Sequence, residues 1–190
     1  MTIRICGVSR SFGGAAVLKN VDLTLTPGVT CLMAPSGAGK TTLTRILLGL
    51  EQPDAGTVTG LEGARLSAVF QEDRLLDRLD AEGNLRFVLG CAYDPARAAA
   101  LLRELGLDGA ADKPAAEYSG GMRRRLALAR ALSVPFDFLV LDEPFTGLDA
   151  AARADAIKCL RRRTEGKTVL LVTHEQSDAE GLCARIVTLS

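Results

Sequence analysis

The stretch Val29-Thr30-Cys31-Leu32-Met33-Ala34-Pro35-Ser36-Gly37-Ala38-Gly39-Lys40-Thr41-Thr42 decides the fold. Val29 to Met33 is a short apolar run suited to a buried central strand. The loop that follows is rich in small residues. Lys40 to about Leu48 then has helical character, with Gly49 placed to stop it. In such a strand–loop–helix junction, Gly37 and Gly39 let backbone N–H groups turn inward around phosphate oxygens, since a residue without Cβ permits close approach. The helix behind adds its positive N-terminal end. Lys40 is positioned to reach β- and γ-phosphates, the Thr41 hydroxyl to ligand Mg²⁺, and Thr42 to touch the α-phosphate. In the usual GxxxxGK[ST] pattern the first position is glycine, and here it is Ala34. If that position requires positive φ, the methyl group costs about 1 kcal/mol.

Outward toward the N-terminus, Ile3 and Ile5, then Val21, Leu23 and Leu25, alternate with polar neighbours and read as half-buried strands. Toward the C-terminus, Phe138 to Leu141 and Thr168 to Val172 are continuous apolar runs, the mark of parallel strands covered on both faces. Strands alternating with helices imply an α/β core. Asp94-Pro95 reads as an N-cap and first helical position, so Ala96 to Leu105 is expected to be helical, ending at Gly106. A further helix is expected from Gly120 to about Leu132, with Met122, Leu126 and Ala129 on its inner face. Between Glu72 and Pro135 there is no good strand and several helical patterns.

Composition narrows the function classes. Apolar residues make up 47% and charged residues 24% of the 190, and Lys+Arg balances Asp+Glu at 23 each. No global field draws this chain toward nucleic acid or anionic lipid. The runs Arg123–Arg125 and Arg161–Arg163 read as solvated helix faces. No apolar run approaches the ~20 residues that span a bilayer, and the first residues do not form a secretory signal. Cys6, Cys31, Cys91, Cys159 and Cys183 are scattered, and reduced, mostly buried thiols are expected.

Asp142 ends the Phe138–Leu141 run, where a carboxylate can hold Mg²⁺ directly or through water. Glu143 beside it can orient and deprotonate a water attacking a γ-phosphate. Ser119-Gly120-Gly121 puts a hydroxyl and two exposed N–H groups at a helix start, a second anion-binding end. One chain rarely needs two phosphate cradles for one nucleotide; two copies arranged head to tail would use both. Phe12 either stacks on a base or is a core residue.

Five motifs in fixed order carry a family resemblance: Ala34–Thr42, Val69–Gln71, Tyr118–Met122, Phe138–Pro144 and Thr173–Glu175. The chain, from about Ile3 to its end, resembles the nucleotide-binding domain of an ABC (ATP-binding cassette) transporter. That resemblance implies an α/β P-loop NTPase core with a mainly parallel sheet, an N-terminal antiparallel β portion and an inserted α-helical subdomain. Residues 1–190 form a single domain on this reading, with 1–71 and 136–190 as the core and 72–135 as the helical subdomain.

It also implies roles residue by residue. Ala34, Pro35, Ser36, Gly37, Ala38, Gly39, Lys40, Thr41 and Thr42 form the phosphate loop. Phe12, 28 positions before Lys40 (40 − 12), matches the aromatic that stacks on adenine, with Val17 lining the same face. Thr41, Gln71 and Asp142 serve Mg²⁺, and Gln71 is the hinge glutamine. Glu143 is the base. His174, the only histidine and 32 residues after Asp142 (174 − 142), senses the γ-phosphate. Ser119, Gly120 and Gly121 resemble the signature that closes on the partner's γ-phosphate, with Tyr118 and Met122 departing from the usual Leu and Gln. Asp149 lines the dimer seam.

The implied activity is ATP hydrolysis with ATP and Mg²⁺. The implied partners are a second ATPase subunit (a homodimer), an integral membrane permease and, for an importer, an extracytoplasmic solute-binding protein, with no nucleic acid. The implied location is cytoplasmic, on the inner face of the cell membrane. The segment Gln71 to Asp80 resembles a stretch of importers of the nitrate, sulfonate and taurine type, with Asp77-Arg78 in place of Pro-Trp. The 16 residues beyond His174 (190 − 174) leave no room for a regulatory domain on this reading. Two rival readings are a soluble ABC-type regulator acting on ribosomes or DNA and a nucleotide sensor without turnover.

Overall fold

The computed structural model describes residues 1–35, 37–110 and 112–189. They form two compact units: residues 1–66, 136–142 and 166–189, and residues 67–135 and 143–165.

The first unit begins with an antiparallel sheet. Strands β1 (Ile3–Phe12) and β2 (Ala15–Leu25) pair through the Gly13-Gly14 turn, with Phe12 opposite Ala15. Both glycines have positive φ, 55° and 84°, the two-residue hairpin geometry that favours glycine. Alternation along β1 buries Ile3 and Ile5 and turns Arg4 and Cys6 outward, and a shift in the pairing register after Ile5 brings Val8 back to the buried face. Strand β4 (Ala55–Thr59) adds to the other edge of β1, giving the order β2–β1–β4.

Beside it lie four parallel strands in the order β6–β7–β3–β8: β3 (Gly28–Met33), β6 (Phe138–Asp142), β7 (Thr168–Val172) and β8 (Arg185–Thr188). Every residue of β6 and β7 is buried, as continuous apolar runs require when both faces are covered. Fully burying a Leu or Val of this kind contributes roughly 1.5–3 kcal/mol. In register, Leu32 of β3 lies opposite Val172 of β7, and Val172 lies opposite Asp142 of β6. Three strands therefore end within one residue of one another, and the segments that follow Met33, Asp142 and Val172 leave from one edge. Helices α1 (Lys40–Leu47) and α6 (Gln176–Gly181) complete this unit. Strand β5 (Leu66–Val69) falls where the chain passes from the first unit to the second.

The second unit is helical. Helix α4 (Gly120–Ser133) packs against α2 (Ala81–Leu89), α3 (Pro95–Glu104) and α5 (Ala150–Arg163). Each starts on a polar cap: Asp80, Asp94 (with Pro95 at the first helical position), Ser119 and Asp149 accept from first-turn amides. Asn84 is fully buried, and its amide binds main-chain groups of Leu76, Leu79 and Asp80, fixing the approach to α2. Glu104 on α3 bonds Arg162 and Arg163 of α5 and accepts from the Cys159 thiol at 3.3 Å.

Three expectations are corrected. The described cysteines are free, but Cys6, Cys91 and Cys183 are exposed and only Cys31 and Cys159 are buried. Their small side chains sit on an outward β1 position, in the short 3-10 helix 90–92 and in the turn after α6. Burial, reinforced by Glu104, pushes the Cys159 thiol up to about 11. Arg123–Arg125 is not a solvated face: Arg124 is 3% exposed, and Arg123 and Arg125 are half-buried because main-chain carbonyls and acids draw them inward. On α4, Leu126 and Ala129 are buried as expected, but Met122, in the first turn, is only half-buried.

Candidate active site

The loop between β3 and α1 owes its path to glycine. Gly37 and Gly39 have φ of 82° and 84°. At Gly39 a Cβ would also meet Leu18 Cδ2 at 2.5 Å and the Val17 carbonyl at 2.8 Å, so no side chain fits. Strand β2 thus supplies the wall that makes the glycine obligatory. Ala34 is not in the left-handed region, so its methyl group carries no such cost. The Ala38 amide donates to the Pro35 carbonyl at 3.2 Å, closing a turn. Ser36 lies outside the described residues. Helix α1 starts at Gly39 with no side-chain cap, so its first-turn amides are offered by the backbone alone, the arrangement that suits an anionic ligand. Lys40 folds back across the loop, its Nζ donating to the carbonyls of Ala34 and Pro35. Thr41 is exposed and Thr42 half-buried at the helix start.

At the same strand edge, Asp142 is 5% exposed. Thr173 is buried, and its hydroxyl donates to Asp178 Oδ2 at 2.7 Å while accepting from the Glu175 amide at 3.1 Å. This latch from α6 shapes the turn that presents His174, whose side chain is 69% exposed and whose Nε2 lies 3.4 Å from Glu175 Oε1. Asp178 is a positioning group that no sequence motif announced.

Phe12 is 46% exposed at the end of β1, so it is not a core residue. The Arg10 guanidinium lies 4.7 Å from its ring centroid. Arg10 is itself held by Glu51 at 2.6 Å and by Asp54. The Ser11 amide, then Arg10, hold the Asp54 carboxyl below its ordinary value. Val17 is half-buried against Gly39.

The donor set fits Mg²⁺. Thr41 and Asp142 offer a hydroxyl and a carboxylate, hard oxygen ligands. Among the described residues no cluster of three or more His, Cys, Asp or Glu could cage a metal. An ion here must draw most ligands from phosphates and water, as Mg²⁺ does and as softer, protein-caged ions do not.

The second unit carries the remaining candidates. Ser119 caps α4, its Oγ accepting from the Met122 amide at 3.3 Å. Gly120 is exposed; at Gly121 a Cβ would stand 3.0 Å from the Gly147 carbonyl, so that position is crowded by backbone. Tyr118 is buried, which pushes its phenol up and removes it from the exposed edge of the motif. Gln71 is exposed. Glu143 adopts φ of 49°, rare for a side-chain-bearing residue. Asp149 accepts from the Ala152 amide at 2.9 Å and so also caps α5.

A glycine loop ending in Lys-Thr at the carboxyl edge of a parallel sheet, with Asp142 ending the next strand but one, is the arrangement of a P-loop nucleotide hydrolase. The sequence profile of the ABC transporter family matches residues 18–146, and the chain belongs to that family, as its ATP-binding, ATP-hydrolysing part. It is 42% identical to the aliphatic sulfonates import ATP-binding protein SsuB 1 of Rhodococcus jostii (strain RHA1), over 98% of this chain and 78% of that one. It is 39% identical to the sulfate/thiosulfate import ATP-binding protein CysA of Methylococcus capsulatus (strain ATCC 33009 / NCIMB 11132 / Bath), over 100% of this chain and 61% of that one. A solved ATP-binding subunit of an ABC transporter shares the fold, with a TM-score of 0.88 at 24% identity, covering 100% of this chain and 86% of that chain. No helix among the described residues is long and apolar enough to cross a membrane.

Proposed function

We propose that this chain is the ATP-hydrolysing subunit of an importer and works as a head-to-tail dimer around two Mg-ATP. The observation that carries this reading is the pair of anion-ready helix starts, α1 behind Gly37–Lys40 and α4 behind Ser119-Gly120-Gly121, one in each compact unit. One nucleotide uses one such cradle in each of two copies.

In this reading Gly37, Gly39 and the first turn of α1 bind the phosphates, Lys40 neutralises the β- and γ-oxygens, and Phe12 stacks on adenine with Val17 beside it. Thr41, Asp142 and Gln71 hold Mg²⁺, which supplies charge neutralisation at the γ-phosphate when bound. Glu143 takes the proton of the attacking water. His174 contacts the γ-phosphate, and Ser119, Gly120 and Gly121 of the partner copy close over it. Asp149 lies at the seam. Residues 72–135 act as the helical subdomain of a single cassette.

Import is the role stated in the names of both curated relatives. The partners are accordingly an integral membrane permease and an extracytoplasmic solute-binding protein, and the location is the cytoplasmic face of the membrane. Leu79, Phe87 and Val88 are exposed on and before α2, at 39%, 68% and 38%, an apolar surface suited to a permease segment.

The test is Glu143→Gln. Phosphate release should fall by roughly 10²–10⁴-fold, the contribution of a general base. ATP binding should persist, and light scattering should show an ATP-dependent dimer that the parent forms only transiently. Parent-level turnover in the variant would refute the base assignment. A variant that binds ATP and stays monomeric would refute the dimer. Recovery of the tagged chain from gently solubilised membranes with only ribosomal or DNA-bound proteins would favour the soluble-regulator reading.

A further inference from the structure

Arg124 lies in the first turns of α4, is 3% exposed, and belongs to none of the motifs. Its Nε and Nη2 both donate to the carbonyl of Glu143, Nε at 3.1 Å. Its Nη1 donates to the Phe70 carbonyl at 2.6 Å and to Asp73 Oδ1 at 3.1 Å, and lies 3.4 Å from the Gln71 carbonyl. One guanidinium therefore grips two segments at once, the one that carries Gln71 and the one that carries Glu143.

The grip falls where the backbone needs it. Glu143 is held in the left-handed region at φ of 49°, a conformation that persists only when its surroundings over-determine it. Two N–H groups on its carbonyl fix the orientation of that peptide, and with it the direction in which Cβ leaves the chain. A packed apolar side chain would serve stability at a buried site as well as an arginine does. Bridging carbonyls on two loops demands the planar five-donor fork, which lysine lacks.

We propose that Arg124 is a positioning residue for hydrolysis, setting the Glu143 and Gln71 segments at a fixed separation. This rests on Glu143 being the base. Its assigned role is exercised through those two segments and not on the nucleotide itself.

The experiment uses the purified full chain and four variants: Arg124→Lys, Gln71→Ala, the two combined, and Glu143→Gln. Steady-state phosphate release gives kcat and KM, a fluorescent ATP analogue gives affinity, and thermal melting reports folding. The expected result is a folded Arg124→Lys with parental ATP affinity and KM, and kcat lowered on the order of 10²-fold, the scale of a misplacement near 1 Å. The double variant should fall no further than the worse single variant, because both changes undo one arrangement. A folded Arg124→Lys with parental kcat, or one whose loss appears in KM alone, would overturn the proposal, as would multiplicative losses in the double variant. If Arg124→Lys does not fold, Arg124→Gln, which keeps one amide donor, is read in the same way. Failure of both to fold would make Arg124 a structural residue and overturn its positioning role. Parental turnover in Glu143→Gln overturns the base assignment together with this proposal. Loss in Glu143→Gln with parental turnover in Arg124→Lys overturns this proposal alone.

Discussion

Phe12 ends β1 with nearly half its surface exposed and one ring face against Arg10. Base–aromatic stacking contributes about 1–3 kcal/mol, so Phe12→Ala should raise the Kd for ATP roughly 5- to 150-fold. Because the side chain is outside the core, the melting temperature should stay with the parent; titration with a fluorescent ATP analogue and a thermal melt check both halves. Glu143 shows a different economy at this scale. Its side chain reads as catalytic from the Asp-Glu pair, yet the positive φ that aims it is a property of the surrounding contacts. Ala34 shows the converse: its place in the motif suggests strain, and its backbone conformation removes the suggestion.

Among the elements, β7 and α6 act together. The Thr173 hydroxyl is buried and spends its proton on Asp178. Asp178→Ala leaves that buried hydroxyl without its acceptor, at a cost of about 1–3 kcal/mol. The variant should melt earlier and turn over ATP more slowly, since the turn carrying His174 loosens, while its affinity for ATP stays near the parent; calorimetry and phosphate release measure these. The starts of α3 and α4 were legible at once from Asp94-Pro95 and Ser119-Gly120, whereas the caps Asp80 and Asp149 emerged only with the structure. Strands β4 and β8 were not. Both are short, largely exposed and irregular in pattern, and each exists because a longer neighbour, β1 or β3, offers it an edge.

Stability of the molecule as a whole should depend on pH through Asp137, just before β6. Its carboxylate accepts from Arg65 Nε, Nη2 and amide at 3.0, 2.9 and 3.1 Å, with Lys167 Nζ at 3.8 Å. The Arg65 side chain first, then its amide, hold this carboxyl well below the ordinary value of 3.8. A depressed folded-state value means stability fully present above 3.8 and lost as pH falls below it toward the folded value. The gap in melting temperature between parent and Asp137→Asn should therefore be constant above about pH 5 and shrink below about pH 4; a gap unchanged down to pH 3 would contradict this. Local sequence determined the glycine loop between β3 and α1, the starts of α3 and α4, the buried parallel strands and the family, because turn chemistry, capping and hydrophobic period act within a few residues. Tertiary structure alone decided that Gly39 has no room for a methyl group, that none of the arginines 123–125 is left fully to solvent, and that Asp178 serves Thr173. Those facts depend on neighbours brought together by folding, such as Leu18 against Gly39 and Phe70 and Glu143 against Arg124. Spacing along a chain carries no record of such contacts.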